Sequence, residues 1–469
     1  MRATGWAAAA YYTRPMNWLK AFLPRGRAAA PAPRRVPRAE HPISRTQIPQ
    51  GTLRVLYGLK DAGYEGYLVG GGVRDLLAGI EPKDFDIATN ATPEQVRQVF
   101  RSCRMIGRRF VICHVRFGDT ISEVTTFRGV ITDSHERDET GRILSDNEYG
   151  TLETDAFRRD FTINALYYDI RDYAIVDLVG GLEDMQRRVI RVIGDPELRY
   201  REDPVRMLRA IRIANKLGFE LEKKTAEPIR KLAPLLREIP PARLFDEVIK
   251  LLQSREAVAN FEGLRQYGLL SHLLPKTEQA LEPPGMRAFV TQALANTAER
   301  IAGEQSVSPA FLYAALLWPV VAREYRRLMD AEGQHPNVAI VQASEKALSS
   351  ALQRIAIPKR FSMPMREIWL MQPRLEANRG GRAQRLITHP RFRAAYDFLL
   401  VRAHAGEVSQ ALADWWTTAQ QGSHPLPEVS LEEEGDIDPS GAGDAPAKRR
   451  RRRRRGGSRN RQPGPSASE

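Results

Sequence analysis

Apolar positions follow two rhythms in the first half of the chain. Leu53, Leu56, Tyr57 and Leu59 recur at helical spacing and predict an amphipathic helix over residues 50–62. A short apolar run at 64–69 reads as a strand that ends in Gly70, Gly71 and Gly72, after which a helix runs over 73–77. Residues 84–88 (DFDIA) read as a second strand, and Thr92 with Pro93 supplies the start signal for a helix reaching Phe100. Residues 111–117 and 121–127 alternate as a hairpin around Gly118 and Asp119, the polar stretch 129–150 reads as a loop, and strands then alternate with helices to about residue 193.

Beyond Asp195 glycine becomes scarce, Leu, Arg and Ala rise, and the helical period holds almost without interruption to about residue 420. The expected fold class is therefore α+β: a mixed α/β head, an all-α continuation, and disordered termini. The best apolar run, 311–322, is twelve residues long with Pro319 inside it, which predicts a core helix and falls short of the ~18–20 residues a membrane span needs.

Charge changes the picture at the two ends. The 469 residues carry 71 Lys and Arg against 57 Asp and Glu. Residues 1–45 hold nine cations and one acid, and 425–469 hold ten cations and eight acids. Most of the excess of +14 thus sits in the termini, which points to a polyanion approached by flexible arms. The N-terminal stretch reads as a disordered basic arm rather than a transit peptide or signal, because its apolar block 7–10 is short and no cleavage pattern follows. The C-terminal stretch is first acidic and Gly/Pro-rich. It then reaches Lys448, Arg449, Arg450, Arg451, Arg452, Arg453, Arg454 and Arg455, a block that cannot pack and reads as an RNA tether, with a solubility tail or a contact to membrane phospholipid as the competing readings. Cys103 and Cys113 are the only cysteines, which excludes a disulfide scaffold and a cysteine-based zinc site and suits a cytoplasmic setting.

The chemistry concentrates at Gly70-Gly71-Gly72-Val73-Arg74-Asp75, followed by Asp84-Phe85-Asp86. Glycines at a strand-to-helix junction let backbone N–H groups approach a phosphate, and Arg74 lies within reach of the same anion. On an extended chain Asp84 and Asp86 share a face while Phe85 turns inward, so the two carboxylates can grip Mg²⁺. No GxxxxGK[ST] is present, which argues against P-loop chemistry. Two carboxylates could complete the metal site: Glu123, on a strand able to run beside the DFD segment, and Asp160, in the Arg158-Arg159-Asp160 run. Further along, Asp203 and Arg206 stand one helical turn apart and could offer acceptors and donors to the edge of a nucleobase.

In order, the segments LVGGGVRD (68–75), DFDIAT (84–89), EVTTFR (123–128), RRDFTINALYY (158–168) and REDPVRMLRAIRIANKLGF (201–219) resemble the class II branch of the DNA polymerase β-like nucleotidyltransferases, which contains bacterial poly(A) polymerases and CCA-adding tRNA nucleotidyltransferases. IGRRFVICHV (106–115), PPARLFDE (240–247) and the arginine-rich end are similar to the poly(A) polymerases in particular. The resemblance implies a nucleotidyltransferase head over 46–193, a helical neck over 194–255 that binds the base and RNA, and a helical RNA-binding body over 256–424. It also implies two Mg²⁺ on Asp84 and Asp86, and a triphosphate held by Gly70, Gly71 and Arg74. Glu123 would stand as the third carboxylate on the metal side, Asp160 and Arg159 would contact the nucleotide sugar or phosphate, and Asp203 and Arg206 would read the base. The implied activity is template-independent transfer of AMP from ATP to RNA 3′ ends with release of pyrophosphate, marking RNA for decay, with RNA, ATP and RNA-decay proteins as partners. A CCA-adding enzyme and a non-catalytic RNA-binding protein are the alternatives.

Overall fold

The computed structural model describes residues 33–107, 111–129, 148–377 and 381–421. The head begins with strand β1 (Arg34–Val36) and helix α1 (Gln50–Asp61), then β2 (Gly66–Val69), α2 (Gly71–Leu77), β3 (Asp86–Thr89) and α3 (Pro93–Val99). It continues through β4 (Cys103–Ile106), β5 (Ile112–Phe117), β6 (Thr120–Thr126), α4 (Leu152–Arg158), β7 (Leu166–Asp169), β8 (Ile175–Asp177) and α5 (Gly181–Arg187). Eight strands form one sheet in the order β1-β8-β7-β2-β3-β6-β5-β4. All neighbours are antiparallel except β3 and β6, which run parallel with Asp86 opposite Glu123.

Alternation along the strands sorts the core into two layers. Leu68, Ile87, Val124 and Tyr168 pack with Leu53, Leu56 and Leu59 of α1, Val73 of α2 and Val96 of α3. On the opposite face Tyr67, Val69, Ala88 and Tyr167 pack with Leu152 and Ala156 of α4. That second face, which carries Ala88, is the one on which Asp86 emerges.

Strand β9 (Val189–Ile190) leads into α6 (Pro196–Glu202) and α7 (Val205–Leu217), and β10 (Glu220–Leu221) returns parallel to β9. The rest is helical, including Pro241–Leu252, Pro284–Ala302, Pro309–Glu332 and Lys359–Ala377. One continuous apolar core reaches from Phe161 and Ile163 through Met207, Ala210 and Ile211 of α7 to Trp318 and Trp369. The 311–322 run lies inside the Pro309–Glu332 helix, where Trp318 and Pro319 are buried. Among the described residues no helix is long and apolar enough to cross a membrane.

The structure departs from the expected arm over 1–45 at its C-terminal end. Residues 34–36 add the edge strand β1, and Val36 and Ile43 enter the head core. The cause is a pairing distant in sequence: Arg35 reaches Asp169 at 2.7 Å and Asp172 at 2.6 Å. Residues 1–32 and the tail from 422 onward, including Lys448 to Arg455, lie outside the described residues. Strand β4 was not expected, because Met105 and Ile106 stay exposed at the sheet edge and leave no alternation to read. The DFD strand starts at Asp86, so Asp84 precedes the ladder.

The turn from β8 into α5 hangs on Asp177, a buried carboxylate that accepts from the backbone N–H of Val179, Gly180, Gly181 and Leu182 at 2.9–3.1 Å. Asp177→Ala strands these donors and is expected to lower unfolding free energy by on the order of 3 kcal/mol, measured by denaturant titration.

Candidate active site

The site is built across one row of the sheet. Tyr167, Val69, Asp86, Glu123 and His114 are successive cross-strand partners on β7, β2, β3, β6 and β5. Side chains at paired positions share a face, so Asp86 and Glu123 stand beside each other. His114 Nε2 lies 3.3 Å from Glu123 Oε1 at the outer end of the row. Phe85 is buried in the core, as an alternating chain requires, and Asp84 is exposed just ahead of the strand.

The glycine turn closes over this row. Gly70 sits at φ +76° and ψ −137°, a conformation that a side chain resists. A Cβ there would lie in ordinary contact with Asp86 Oδ2 at 3.4 Å and Arg159 Nη1 at 3.6 Å, so the carboxylate and the guanidinium flank the turn and the backbone conformation alone calls for glycine. At Gly72 the equivalent atom would meet the Asp84 carbonyl at 3.2 Å. Burial, then the neighbouring Glu123 carboxylate, pushes the Asp86 acid up to about 6, with Arg159 pulling the other way. A half-buried carboxylate crowded by two others is an anionic site short of positive charge.

The arginines around it are each held by a different acid. Arg74 is buried, donating to Asp75 Oδ1 through Nε at 2.9 Å and Nη2 at 2.6 Å and to Asn164 Oδ1 through Nη1 at 2.7 Å. Lys216 of α7 takes the other Asp75 oxygen at 2.5 Å. Arg159 donates to Asp155 through Nε at 3.0 Å and Nη2 at 2.9 Å. Asp160 accepts from the Phe161 N–H and Asn164 Nδ2, both at 2.9 Å, and from Arg209 Nη2 at 2.6 Å. Both Asp160 oxygens are thus engaged, and its acid is held well below the usual range because Arg209 and these hydrogen bonds outweigh burial. Arg206 bonds to Glu202 at 3.0 Å, and Asp203 accepts from Arg243 at 2.8 Å. Asp203 and Arg206 lie close along the chain, but their side chains face separate partners.

Gly70, Asp86, Glu123 and Arg159 are thus brought together, and Arg74 is linked through Asn164 to Asp160 and Arg209, while Asp203 and Arg206 lie at the start of α7 on partners of their own. Glu123 stands in register with Asp86, and Asp160 is bonded to Arg209 of α7. Arg108 and Arg109 lie outside the described residues, as do the arginines of the tail. Sequence reasoning passed over Asp155, Arg209, Arg212 and Arg243. Arg209 and Arg212 follow Arg206 at intervals of three along α7 and were legible as a face. Arg243 lay in the PPARLFDE segment already singled out. Asp155 gave no signal, since an acid in the first turn of a helix is ordinary.

The donor set fits Mg²⁺: Asp84 and Asp86 offer carboxylate oxygens, and His114 is engaged by Glu123. Among the described residues no group of three or more His, Cys, Asp or Glu side chains is placed to hold a metal ion. Mg²⁺ is commonly held by one or two carboxylates with substrate phosphates and water, so an open pair beside a glycine turn at a helix start is suitable.

A mixed sheet with paired acids beside a glycine turn, continued by a helical neck, places the chain among the nucleotidyltransferases. Residues 66–191 match the family described as "Poly A polymerase head domain", 218–281 "Probable RNA and SrmB- binding site of polymerase A", and 332–456 "Polymerase A arginine-rich C-terminus". Poly(A) polymerase I of Salmonella typhi is 45% identical over 439 residues, spanning 90% of this chain and 94% of that protein. The CCA-adding enzyme of Lactobacillus helveticus is 43% identical over 197 residues, 42% of this chain and 48% of that protein. The solved CCA-adding enzyme of Bacillus stearothermophilus in complex with CTP matches with a TM-score of 0.51 at 29% identity, covering 79% of this chain and 81% of that one. The chain belongs to the bacterial poly(A) polymerase I family.

Gly70→Ala tests the turn. The substitution forces a strained backbone at φ +76°, costing about 1–3 kcal/mol, beside Asp86. Nucleotide incorporation is expected to fall by at least about tenfold while the circular dichroism spectrum stays that of the parent.

Proposed function

We propose that this chain extends RNA 3′ ends with AMP from ATP, without a template, releasing pyrophosphate. Family membership across nine-tenths of the chain supports the reaction class. The observation that carries the reading at the level of residues is the register of Asp86 with Glu123 beside the Gly70 turn. In the reaction the RNA 3′ oxygen bonds to the α-phosphorus as the bond to the β-phosphate bridging oxygen breaks. The hydroxyl proton is lost to solvent or a carboxylate, and the electron pair leaves with pyrophosphate.

Asp84 and Asp86 would hold the Mg²⁺ ions, which supply Lewis-acid activation of the hydroxyl and neutralise charge on the leaving group. The chain's own residues do the rest. Gly70 and Gly71 leave space for the phosphates. Arg159, aimed past Gly70, and Arg74 and Arg209 behind it make the surroundings cationic where negative charge gathers. Asp203 and Arg206, each fixed by a partner, present an acceptor and donors of set geometry for a base edge. Basic residues of the helical body and tail hold the RNA backbone, and marking RNA for decay is the role this activity supports.

Two measurements test the reading. Offered each NTP separately with a generic oligonucleotide, the protein is expected to build a long ladder with ATP alone. CTP addition to tRNA lacking its CCA end would instead favour the CCA-adding alternative. Asp84→Ala and Asp86→Ala are each expected to lower AMP incorporation at least about a hundredfold without loss of fold, and parental activity in either refutes the assignment.

The tail is tested separately. Deleting residues 447–469 removes ten Lys and Arg, Lys448 to Arg455 among them, and is expected to flatten the salt dependence of RNA affinity by up to about 7 in log–log slope. An unchanged slope assigns the block another role.

A further inference from the structure

Behind the catalytic face lies a buried acid that contacts no reacting group. Asp155 of α4 is 1% exposed and sits at the centre of three donors. Arg128 reaches its Oδ1 through the backbone N–H at 3.3 Å and through Nε at 3.2 Å. Arg159 reaches Oδ2 through Nε at 3.0 Å and Nη2 at 2.9 Å, and the Tyr167 hydroxyl donates to the same oxygen at 2.7 Å. Tyr167 also accepts from Arg159 Nε at 3.0 Å and lies under its guanidinium, 5.2 Å from the ring centroid.

The consequence is directional. A guanidinium has two edges. Asp155 and Tyr167 occupy the Nε–Nη2 edge of Arg159, and Nη1 is the nitrogen beside the Gly70 turn. Left to itself, Arg159 would be drawn onto Asp86 and would spend the carboxylate that must face a cation. We infer that Asp155, with Tyr167, is a positioning pair that restrains Arg159 from Asp86 and keeps Nη1 directed at the nucleotide phosphates or sugar. The inference rests on the nucleotidyl-transfer reading and adds to it two residues that touch neither substrate.

Tyr167→Phe keeps the ring and its stacking and removes the hydroxyl alone, so it spares the fold where Asp155→Asn could disturb it. ATP affinity is read by calorimetry without RNA, and KM values for ATP and RNA by incorporation, in the parent, Tyr167→Phe, Arg159→Ala and the double variant. Tyr167→Phe is expected to weaken ATP affinity about three- to tenfold and leave the KM for RNA within about twofold. In the Arg159→Ala background it should add nothing, because the residue it acts through is gone. Additive losses, or an equal rise in the KM for RNA, would overturn the positioning role and leave Tyr167 a packing residue. A parent protein that neither binds ATP nor incorporates AMP would instead bring down the functional reading.

Discussion

Asp86 stands beside Glu123 and near Asp84 with no ion pair of its own among the described residues, and the surrounding structure is organised around that imbalance. Asp86 is held partly out of water beside Glu123 and close to Asp84, and its acid is pushed up to about 6. Arginines nearby could have quenched this charge. Instead Arg74 is tied to Asp75, Arg159 to Asp155, Arg206 to Glu202 and Arg209 to Asp160. Each guanidinium has a tether away from Asp84 and Asp86. The site thereby keeps a cationic surround and an unpaired anionic centre at once, which suits a bound cation and a triphosphate arriving together.

The same tethers join head to neck. Asp160 and Asp75 belong to the head, Arg209 and Lys216 to α7, and the two bridges lie seven residues apart along that helix. Phe161 and Ile163, flanking them, pass into the helical core with Met207 and Ile211. Arg199 donates to the carbonyls of Arg158 and Arg159 at 2.9 and 2.7 Å and so clamps the end of α4 to α6. Apolar burial supplies most of the adhesion, and the buried charges set the register at which the two parts meet, since breaking one leaves its partner uncompensated.

Most of this was legible where chemistry and periodicity coincide. The glycine turn, the DFD pair and the hairpin could be read because their local pattern already demands a geometry, and Glu123 could be placed because its strand alternates cleanly. Elements made by distant pairing could not. The strand at Arg34–Val36 owes its existence to β8 and to Asp169, more than 130 residues away, and β4 owes its to β5. Asp160 was legible as a polar group that needs a partner, but the partner was not. A carboxylate beside two arginines in sequence says nothing about which cation it will meet in space, and the answer, Arg209, lies 49 residues on.

That displacement of Asp160 bears on how a nucleotide would be selected. Engaged on both oxygens, the Asp160 carboxylate anchors α7, the helix whose first turn carries Arg206. Asp203 is fixed by Arg243 and Arg206 by Glu202, so the candidate base-reading groups start from held positions and not from mobile side chains. Pre-set donors and acceptors discriminate against a base that leaves one of them unpaired. On the proposed reading, selection without a template needs this rigidity. The protein edge must do what a complementary strand does elsewhere, and it can do so only if its spacing is fixed before the nucleotide arrives.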